Sequence, residues 1–468
     1  MTIESATTAG NQQPKLFWAT ATLASAGFPD LRLHYRATLF LSQRAARPGD
    51  GIAQACGNPA DAKATYRFLE NIRVRPSHIW DPLHEHRAKG LAAHQRVLLI
   101  HDGTVLMFPR LKATTGLGTA DQNQEQCLHM RSSLATLPNG QVIGLLHNHV
   151  WSRPCEQFKK SENRKKLPFE QKESYEWVRA ADRADELRKR FSPKTRFTHI
   201  IDCEGEVHEV LEHLLVQDDD FIIRSCQDRK VTGPWGHLRA TLAAQPLLKQ
   251  AVIEVPRQQG KPRRLAQIEI RSAQVTLDPP AIYARRRPIT INAVWVHEVG
   301  PPAQIEEPLD WLLLTTWPVA TIEDCQKVIE AYKRRWLIED FHLTLKSGCQ
   351  IEKTQLKTAQ RIEVLLAFLC AVAARVLALR QWARTEPDVP CTMALSEDEW
   401  RVAWMRINQR SVPADLPIPT MFEAVRMIGR LGGHLGRKSD GMPGVRSLWK
   451  GWCELQILVE GYQLNRYT

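Results

Sequence analysis

The sequence predicts an α/β fold in which a mixed sheet forms the centre and helical regions lie at both ends of the chain. Three observations predict it. Short apolar runs typical of buried strands recur between residues 97 and 224, and Asn139-Gly140 marks a tight hairpin between two strands. Apolar residues follow helical spacing near both termini. The 468 residues are enough for two or three domains with cores of their own.

The N-terminal region, residues 1–75, is predicted to be a small helical DNA-binding module. Its apolar residues recur at helical intervals, and the basic residues Arg32, Arg36 and Arg44 are interleaved with them. A Pro-Gly-Asp-Gly break at residues 48–51 separates two helical pieces. A helical cap on the following domain would explain the same pattern, and the pattern alone does not choose between the two.

Residues 76–385 are predicted to form the central domain. Strands are expected at residues 97–100, 127–137, 141–150, 197–201, 221–224 and 311–315, and helices at residues 170–190, 206–216, 322–346 and 360–384. Between about residues 228 and 308 the pattern changes to alternating apolar runs, which predicts an all-β insertion. A helical C-terminal domain, residues 386–468, completes the chain.

The charge of the chain favours a polyanionic partner. There are 63 Lys and Arg against 51 Asp and Glu, which gives a net charge of +12. A basic surface gains affinity for nucleic acid because each neutralised phosphate releases a condensed counterion. A protein that is merely basic would have the same composition, so charge alone leaves the choice open.

The cysteines and the apolar segments indicate the compartment. The ten cysteines are scattered singly, without a Cys-x-x-Cys pair, which argues against a structural zinc site and a disulfide framework. The N-terminus lacks a signal-peptide pattern, and the longest apolar stretch, residues 364–379, is interrupted by Arg375. We expect a buried helix there, no membrane partner, and a cytoplasmic, nucleoid-associated location in a prokaryotic cell.

Two aspartates follow predicted strands. Asp102 comes after the apolar run 97–100, and Asp202 comes directly after the run 197–201. A carboxylate at the end of a buried strand is held rigidly at the edge of the sheet, where a site can form. Many such aspartates only cap turns or helices, so neither is evidence by itself.

The predicted helix at residues 322–346 supplies a third carboxylate. At about 100° per residue, Tyr332, Arg335, Glu339 and Lys346 fall within an arc of about 60°, and apolar side chains occupy the opposite face. An ordinary amphipathic helix with a solvated ion pair would explain the Arg335–Glu339 spacing as well. The combination with Asp102 and Asp202 weighs against that, because three carboxylates suit two divalent cations for phosphodiester chemistry, and Arg and Lys bind phosphate.

The spacing of these residues also matches a family motif. Tyr332, Arg335, Glu339 and Lys346 follow the order Tyr, two residues, Arg, three residues, Glu, six residues, Lys, without a gap. This resembles the DDE transposases of bacterial insertion sequences, in particular the insertion-sequence-four group. The similarity extends along nearly the whole chain, through segments at residues 64–71, 100–102, 202–208, 221–225, 310–316, 430–433 and 448–452.

The resemblance implies an RNase H-like catalytic core and a role for each matched residue. It implies that Asp102, Asp202 and Glu339 are catalytic and bind two Mg²⁺ ions, for which Mn²⁺ can substitute. The residues expected to contact DNA are Tyr332, Arg335, Lys346, Arg224, Trp311, Trp336 and His342. Of these, Trp311 stands where the family stacks a flipped-out base; a core aromatic in a strand is the alternative for it.

The implied partners are double-stranded DNA, as transposon ends and as target, and a second copy of the chain in a homodimer on paired ends. No nucleotide cofactor is expected, because Gly116-Leu-Gly118 lacks the strand-then-helix context of a phosphate-binding loop. We also expect no metal at His147-Asn148-His149, since these residues alternate along a strand. The basic run 159–166 is expected to be a solvated loop that could lie along DNA.

The resemblance implies a reaction series at each transposon end. Water nicks one strand, the freed 3′-hydroxyl attacks the opposite strand to form a hairpin, the hairpin is hydrolysed, and both ends join target DNA. Two residues depart from the family pattern: Gly103 stands where Thr is usual, and Cys203 stands where Arg is common. The alternatives are a catalytically reduced DNA-binding relative and a stand-alone RNase H-like nuclease. The intact triad argues against the first, and the Tyr, Arg and Lys face against the second.

Overall fold

The structure is a computed structural model that describes residues 14–120, 125–153, 167–255, 263–280, 286–301, 308–437 and 440–464, with only the backbone of residues 14–17. The basic run 159–166 lies outside the described residues, so the prediction made for it is not addressed.

One mixed sheet forms the centre of the protein. Within the described residues it has ten strands, in the spatial order β2-β3-β1-β5-β6-β10-β9-β8-β7, with β4 added along β3. The strands are β1 Arg96–Met107, β2 Gly118–Thr119, β3 Gln126–Thr136, β4 Val142–Trp151, β5 Arg196–Ile201, β6 Asp220–Ser225, β7 Lys249–Val255, β8 Arg264–Leu277, β9 Ile289–Glu298 and β10 Asp310–Thr315. The predicted mixed sheet is confirmed, because β1, β5 and β6 run parallel while the flanking pairs are antiparallel.

The predicted insertion is part of this same sheet. β9 pairs antiparallel with β10, so that β8 and β7 extend the sheet outward beyond β10. A short helix, Leu238–Ala243, precedes these strands, which the alternating pattern did not indicate. The predicted hairpin is present: β3 and β4 flank Asn139-Gly140, and Gly140 has a φ of +96°, which glycine adopts without strain.

Fourteen helices pack around the sheet within the described residues. In chain order they are α1 Pro14–Thr22, α2 Leu31–Ala46, α3 Ile52–Cys56, α4 Pro59–Glu70, α5 Ser77–Gly90, α6 Tyr175–Phe191, α7 His208–Val216, α8 Leu238–Ala243, α9 Ile322–Lys333, α10 Trp336–Leu343, α11 Ala359–Thr385, α12 Glu397–Asn408, α13 Met421–Leu431 and α14 Val445–Leu464. Helices therefore dominate both ends of the chain, as the sequence predicts.

The N-terminal helices share one core with the middle and the C-terminus of the chain. Phe40 of α2 and Phe68 of α4 both contact Phe368 of α11, with ring centroids 5.1 and 6.1 Å apart. Trp452 of α14 is buried and donates from Nε1 to the carbonyl of Ala45 at 3.4 Å. The N-terminal region is thus packed on the remainder of the protein, as the alternative of a helical cap expected.

Helix α11 is the long apolar helix predicted near the end of the central domain. By length and composition its 27 residues could cross a membrane, but 83% of its most apolar window is buried inside the protein. Its side chains join the core that connects the sheet to both helical ends. This is the environment of a central core helix.

Candidate active site

Two neighbouring parallel strands carry the first two carboxylates. In the register of β1 and β5, Ile100 lies opposite Ile200, so Asp102 and Asp202 follow two residues later on both strands. The predicted strand end at Asp102 is wrong, because β1 continues to Met107 and pairs there with β3. On one side, Asp102 is therefore held by the pairing of β1 with β3. On the other side, β5 ends just before Asp202, so the edge of β1 at Asp102 is not paired with β5.

Asp202 begins the short 3₁₀ turn Cys203–Gly205. Its Oδ1 accepts a hydrogen bond from the backbone N–H of Glu204 at 3.0 Å. Buried Glu206 then holds the loop, since it accepts hydrogen bonds from the Ser225 hydroxyl at 2.6 Å and from the guanidinium of Arg229. Sequence reasoning assigned no role to Glu206, and the structure shows that it anchors the chain directly after Asp202.

The third carboxylate lies beyond a break in the helix predicted at residues 322–346. Helix α9 ends at Lys333, and the N–H groups of Arg334 and Arg335 bond back three residues, to Ala331 and Tyr332. Such i→i−3 bonds tighten the last turn and change the direction of the chain. The prediction of one helix over residues 322–346 is therefore wrong. The shared helical face calculated for Tyr332, Arg335, Glu339 and Lys346 holds only for Arg335 and Glu339, which are four residues apart.

Arg335 connects two of the three carboxylates. Its Nη1 lies 3.7 Å from Asp102 Oδ2, and its Nη2 donates to Oε1 of Glu339. The side chains of Arg335 and Asp102 are 13% and 15% exposed, whereas that of Glu339 is 38% exposed. The cation thus balances two acidic groups, one from strand β1 and one from helix α10.

The pKa of Asp102 reflects its burial and the charges of the neighbouring carboxylates. Burial raises the pKa of Asp102 to about 6, and the charges of Asp202 and Glu339 act in the same direction. Arg335 and a hydrogen bond from the N–H of Gly103, at 2.8 Å, oppose the rise. Like charges gathered in a partly buried place are unfavourable unless a cation neutralises them.

The residues present fit a hard divalent cation by their chemistry. Carboxylate oxygens are the ligands that Mg²⁺ and Mn²⁺ prefer. Burial raises the pKa of Asp102 and the charges of Asp202 and Glu339 add to the rise, and a bound cation would stabilise the ionised carboxylates. Among the described residues, no three His, Cys, Asp or Glu side chains lie close enough together to hold a metal ion. Arg335 lies between two of the carboxylates instead.

Three of the predicted DNA contacts surround the carboxylates in the interior. Tyr332 is 4% exposed and packs edge-on against Trp311, with ring centroids 5.5 Å apart. Burial raises the pKa of the Tyr332 phenol, while Arg335 and Arg224 act to lower it. Arg224 donates to the carbonyl of Asp310 at 3.3 Å, and its Nε is buried without a hydrogen-bond partner among the described residues. Trp311 is partly buried and packs against the main hydrophobic core.

Apart from Arg335, described above, the remaining predicted DNA contacts are Trp336, Lys346 and His342, and they differ in exposure. Trp336 is 54% exposed and lies beneath Arg335, whose guanidinium carbon is 5.2 Å from its ring centroid. Lys346 lies on the π-helical turn Thr344–Gly348, where burial lowers its pKa and Glu352 opposes that. His342 is 7% exposed and burial lowers its pKa to about 3; its contact with DNA, like that of buried Tyr332, stays a prediction.

A chain of buried histidines lies behind the aspartates and was not predicted. Nε2 of His101 is 2.8 Å from Nδ1 of His199, and Nδ1 of His101 is 2.8 Å from the Ser133 hydroxyl. Nε2 of His199 is 3.3 Å from Asp219 Oδ2. These bonds tie β1, β3 and β5 together behind Asp102. The sequence does contain an indication of this chain, a histidine inside each of the two strands that lead to Asp102 and Asp202.

The histidines at His147-Asn148-His149, for which no metal was expected, make protein contacts. The Nδ1 of His149 lies 2.6 Å from Oε2 of Glu176, and Oδ1 of Asn148 lies 3.1 Å from Nε2 of His84. Burial lowers the pKa of His147 to about 3. These side chains tie β4 to the helices α5 and α6.

The shifted pKa of Asp102 predicts how the metal-free protein responds to pH. Since its folded pKa of about 6 exceeds the ordinary 3.8, the ionised carboxylate disfavours the folded state above pH 4, and fully so above pH 6. In EDTA, Asp102→Asn should therefore gain stability relative to wild type by roughly 1–3 kcal/mol as the pH rises from 4 to 7. Urea unfolding of both proteins across that range measures it. A difference that is independent of pH would contradict the buried cluster.

Comparison with known families identifies the chain. Residues 16–74 match a family described as Transposase DNA-binding, residues 170–374 match Transposase DDE domain, and residues 371–468 match Transposase Tn5 dimerisation domain. The three matched segments follow one another along most of the chain. The chain is a DDE transposase. Its order of domains is that of the transposon-five transposase.

A solved structure was also compared with the transposase. It is a cryo-EM structure of the piggyBac transposase synaptic complex with hairpin DNA, 10% identical, with a TM-score of 0.34 over 88% of this chain and 80% of that one. A likeness at that level carries no argument about the active site.

Membership in the family agrees with the site. The DDE domain implies a divalent metal, and the flanking families indicate a transposase that binds DNA and dimerises. The matched DDE segment contains Asp202 and Glu339 but begins at residue 170, after Asp102. The assignment of Asp102 rests on its register beside Asp202 and on the charge coupling between the two.

Proposed function

We propose that this protein is a cut-and-paste transposase of the insertion-sequence-four group, and that Asp102, Asp202 and Glu339 together bind two Mg²⁺ ions, or Mn²⁺ in their place. One observation carries the proposal: in a chain with transposase domains, burial raises the pKa of Asp102 to about 6, and the charges of Asp202 and Glu339 add to that rise. The cluster is the type of site that two divalent cations require.

When bound, the cations would supply activation of the attacking oxygen and stabilisation of the leaving oxygen. The chain's own residues then hold the DNA. Arg335 is free to turn from the carboxylates to a phosphate once their charge is neutralised, and Lys346 lies one helical segment further on. Tyr332 and Arg224, which are near enough for the charge of Arg224 to act on the phenol, are suited to position the phosphate next to the scissile one.

A hairpin intermediate is part of the proposal. To fold one strand back onto the other, an end must expose unpaired bases, and aromatic side chains stabilise such bases by stacking. Trp311 and exposed Trp336 lie on either side of the segment from Tyr332 to Arg335. We further propose that two copies act together on paired ends, and that the protein works in the cytoplasm of a prokaryote, on the nucleoid.

Cleavage of matched ends tests the proposal. Full-length protein, incubated with duplexes that carry the terminal inverted repeats flanking its gene, should nick, form hairpins and release blunt ends in Mg²⁺ or Mn²⁺. Denaturing gels separate the three products. Duplexes with scrambled repeats, and reactions in EDTA, should give none of them.

Binding without cleavage would decide for the alternative. If the protein bound its ends but gave no cleavage in either cation, the chain would be a catalytically reduced relative and the enzymatic proposal would be wrong. Nicking without hairpins would leave the metal site in place and remove the hairpin pathway.

A further inference from the structure

A cleft next to the catalytic aspartates has no role in the function described so far. It has a volume of about 510 Å³, which is within the range of pockets that hold nucleotide-sized ligands. Gly103 and Glu204 line it, and these residues follow the catalytic aspartates on β1 and after β5. Its other walls are the outer strands β3 and β4 and the start of helix α6, through His129, Arg131, Trp151, Arg153 and Trp177.

The cleft lies on the opposite face of the sheet from Glu339. Arg131 pairs directly with Gly103 in the register of β1 and β3, and side chains alternate between faces along a strand, so Arg131 points away from the side of Asp102. The pairing of β5 with β1 ends at Ile100. Beyond that point the edge of β1 is not covered by β5, so a strand of DNA can pass from Asp102 around this edge into the cleft.

Three buried N–H donors in the cleft lack an acceptor. Nε and Nη1 of Arg131 and Nε1 of Trp151 are inaccessible to water and form no hydrogen bond with the described part of the chain. Arg131 is only 7% exposed, and its guanidinium stacks on Trp177, 3.6 Å from the ring centroid. Buried donors are nearly always paired in folded proteins, so a rigid, unpaired guanidinium beside an indole N–H indicates an absent acceptor.

Gly103 keeps the cleft open toward Arg131. A Cβ at position 103 would lie 3.7 Å from Nη2 of Arg131, which is ordinary contact, so a larger branched side chain would cover the guanidinium. The second arginine of the cleft, Arg153, is paired with Glu173. Arg131 is thus the cation of the cleft with unpaired donors; exposed Glu204 lies at the rim, where water screens its charge, and the charges of Asp202, Asp102 and Glu176 also act on Arg131.

From these contacts we infer that the cleft is a second DNA-strand subsite, in which Arg131 and the indole N–H of Trp151 bind one phosphodiester group. The inference rests on the proposed function, because it places this strand in continuity with the aspartates that would cut it. A phosphate supplies the acceptor oxygens that the three donors lack, and Arg binds phosphate in a two-pronged geometry. The strand comes either from the transposon end or from target DNA.

Salt-dependent binding tests the inference without any cleavage. Full-length wild type, Arg131→Gln and Gly103→Val are titrated in EDTA, first with an end duplex and then, as end-bound complexes, with target DNA, from about 50 to 300 mM salt. Loss of one phosphate contact should reduce the slope of log K against log salt by roughly 0.7–0.9. Affinity should fall at least about 5-fold at low salt. Gly103→Val should act like Arg131→Gln because it covers the same guanidinium without removing a charge.

The DNA that shows the smaller slope identifies the strand. A change confined to the end duplex assigns the subsite to the transposon end, and a change confined to the second titration assigns it to target DNA. Arg179→Gln, a half-exposed arginine on the same helix as Trp177, is the control and should leave both slopes unchanged. Slopes equal to wild type for Arg131→Gln and Gly103→Val would overturn the inference. If Arg131→Gln lowered the melting temperature without changing the slope, Arg131 would have a structural role only, which would also overturn the inference. Because no metal is present, this result is independent of whether the protein cleaves DNA.

Discussion

Asp102→Asn should lower the rate of metal-dependent DNA cleavage at least about 10³-fold and leave binding to the transposon ends close to wild type. The amide keeps the shape of the side chain but removes the negative charge and one of the oxygen ligands. Asp102 is held on the rigid β1 ladder, so no neighbouring group can move into its place. The loss therefore falls on catalysis.

The same cleavage measurement on variants of the other carboxylates tests which residues form the site. Asp202→Asn and Glu339→Gln should lose cleavage to the same extent, whereas Glu330→Gln, an exposed carboxylate on α9 paired with Lys333, should cleave normally. Single-turnover cleavage of matched ends and gel-shift binding separate catalysis from affinity. If Asp102→Asn cleaved at the wild-type rate, the assignment of Asp102 would be wrong, even if the other two variants were inactive.

Gly451→Ala should destabilise the protein by about 3 kcal/mol or more. Gly451 lies on α14 where that helix crosses the end of α13, and an added Cβ would lie 1.7 Å from the carbonyl oxygen of Ile428. Backbone atoms on both sides meet there, since a Cβ on Gly432 would lie 1.8 Å from the carbonyl oxygen of Ser447. No side-chain movement can relieve such a contact, so the helices must separate, and they belong to the segment that matches a dimerisation domain.

A second glycine on the same helix is the control for Gly451. Gly461 has no atom within 4 Å of an added Cβ, so Gly461→Ala should be neutral or stabilise the helix by up to about 1 kcal/mol. Thermal unfolding of both variants and the mass of the protein in solution with and without paired ends are the measurements. Equal melting temperatures for the two alanine variants would contradict the close packing of α13 and α14.

Local pattern was sufficient for much of the fold. Short apolar runs predicted the positions of β5 and β6, alternation of apolar residues predicted β8 and β9, and Asn139-Gly140 predicted the hairpin of β3 and β4, because these features depend on neighbours a few residues apart. The same pattern did not show that β1 continues past Asp102 or that the insertion extends the central sheet. Both depend on pairing with strands distant along the chain.

The interior of the site was harder to predict for the same reason. Exposed Trp336 and buried His342 are six residues apart on α10 and lie on different faces of it, but the turn at Arg334 and Arg335 that sets which face meets the core is not apparent in the sequence pattern. Arg131 was missed because its neighbours in sequence are unremarkable. Its position opposite Gly103 and on Trp177 comes from strand register and helix packing.

By itself the sequence determined the chemistry of this protein: a spaced set of Tyr332, Arg335, Glu339 and Lys346, two aspartates after apolar strands, and a basic composition, which together predicted a DDE transposase. Only the tertiary structure decided how these groups act on one another. Parallel pairing places Asp102 beside Asp202, and the tightened turn directs Arg335 toward both Asp102 and Glu339. Residue types and spacing are local properties of the chain, whereas burial and charge coupling arise between elements a hundred or more residues apart.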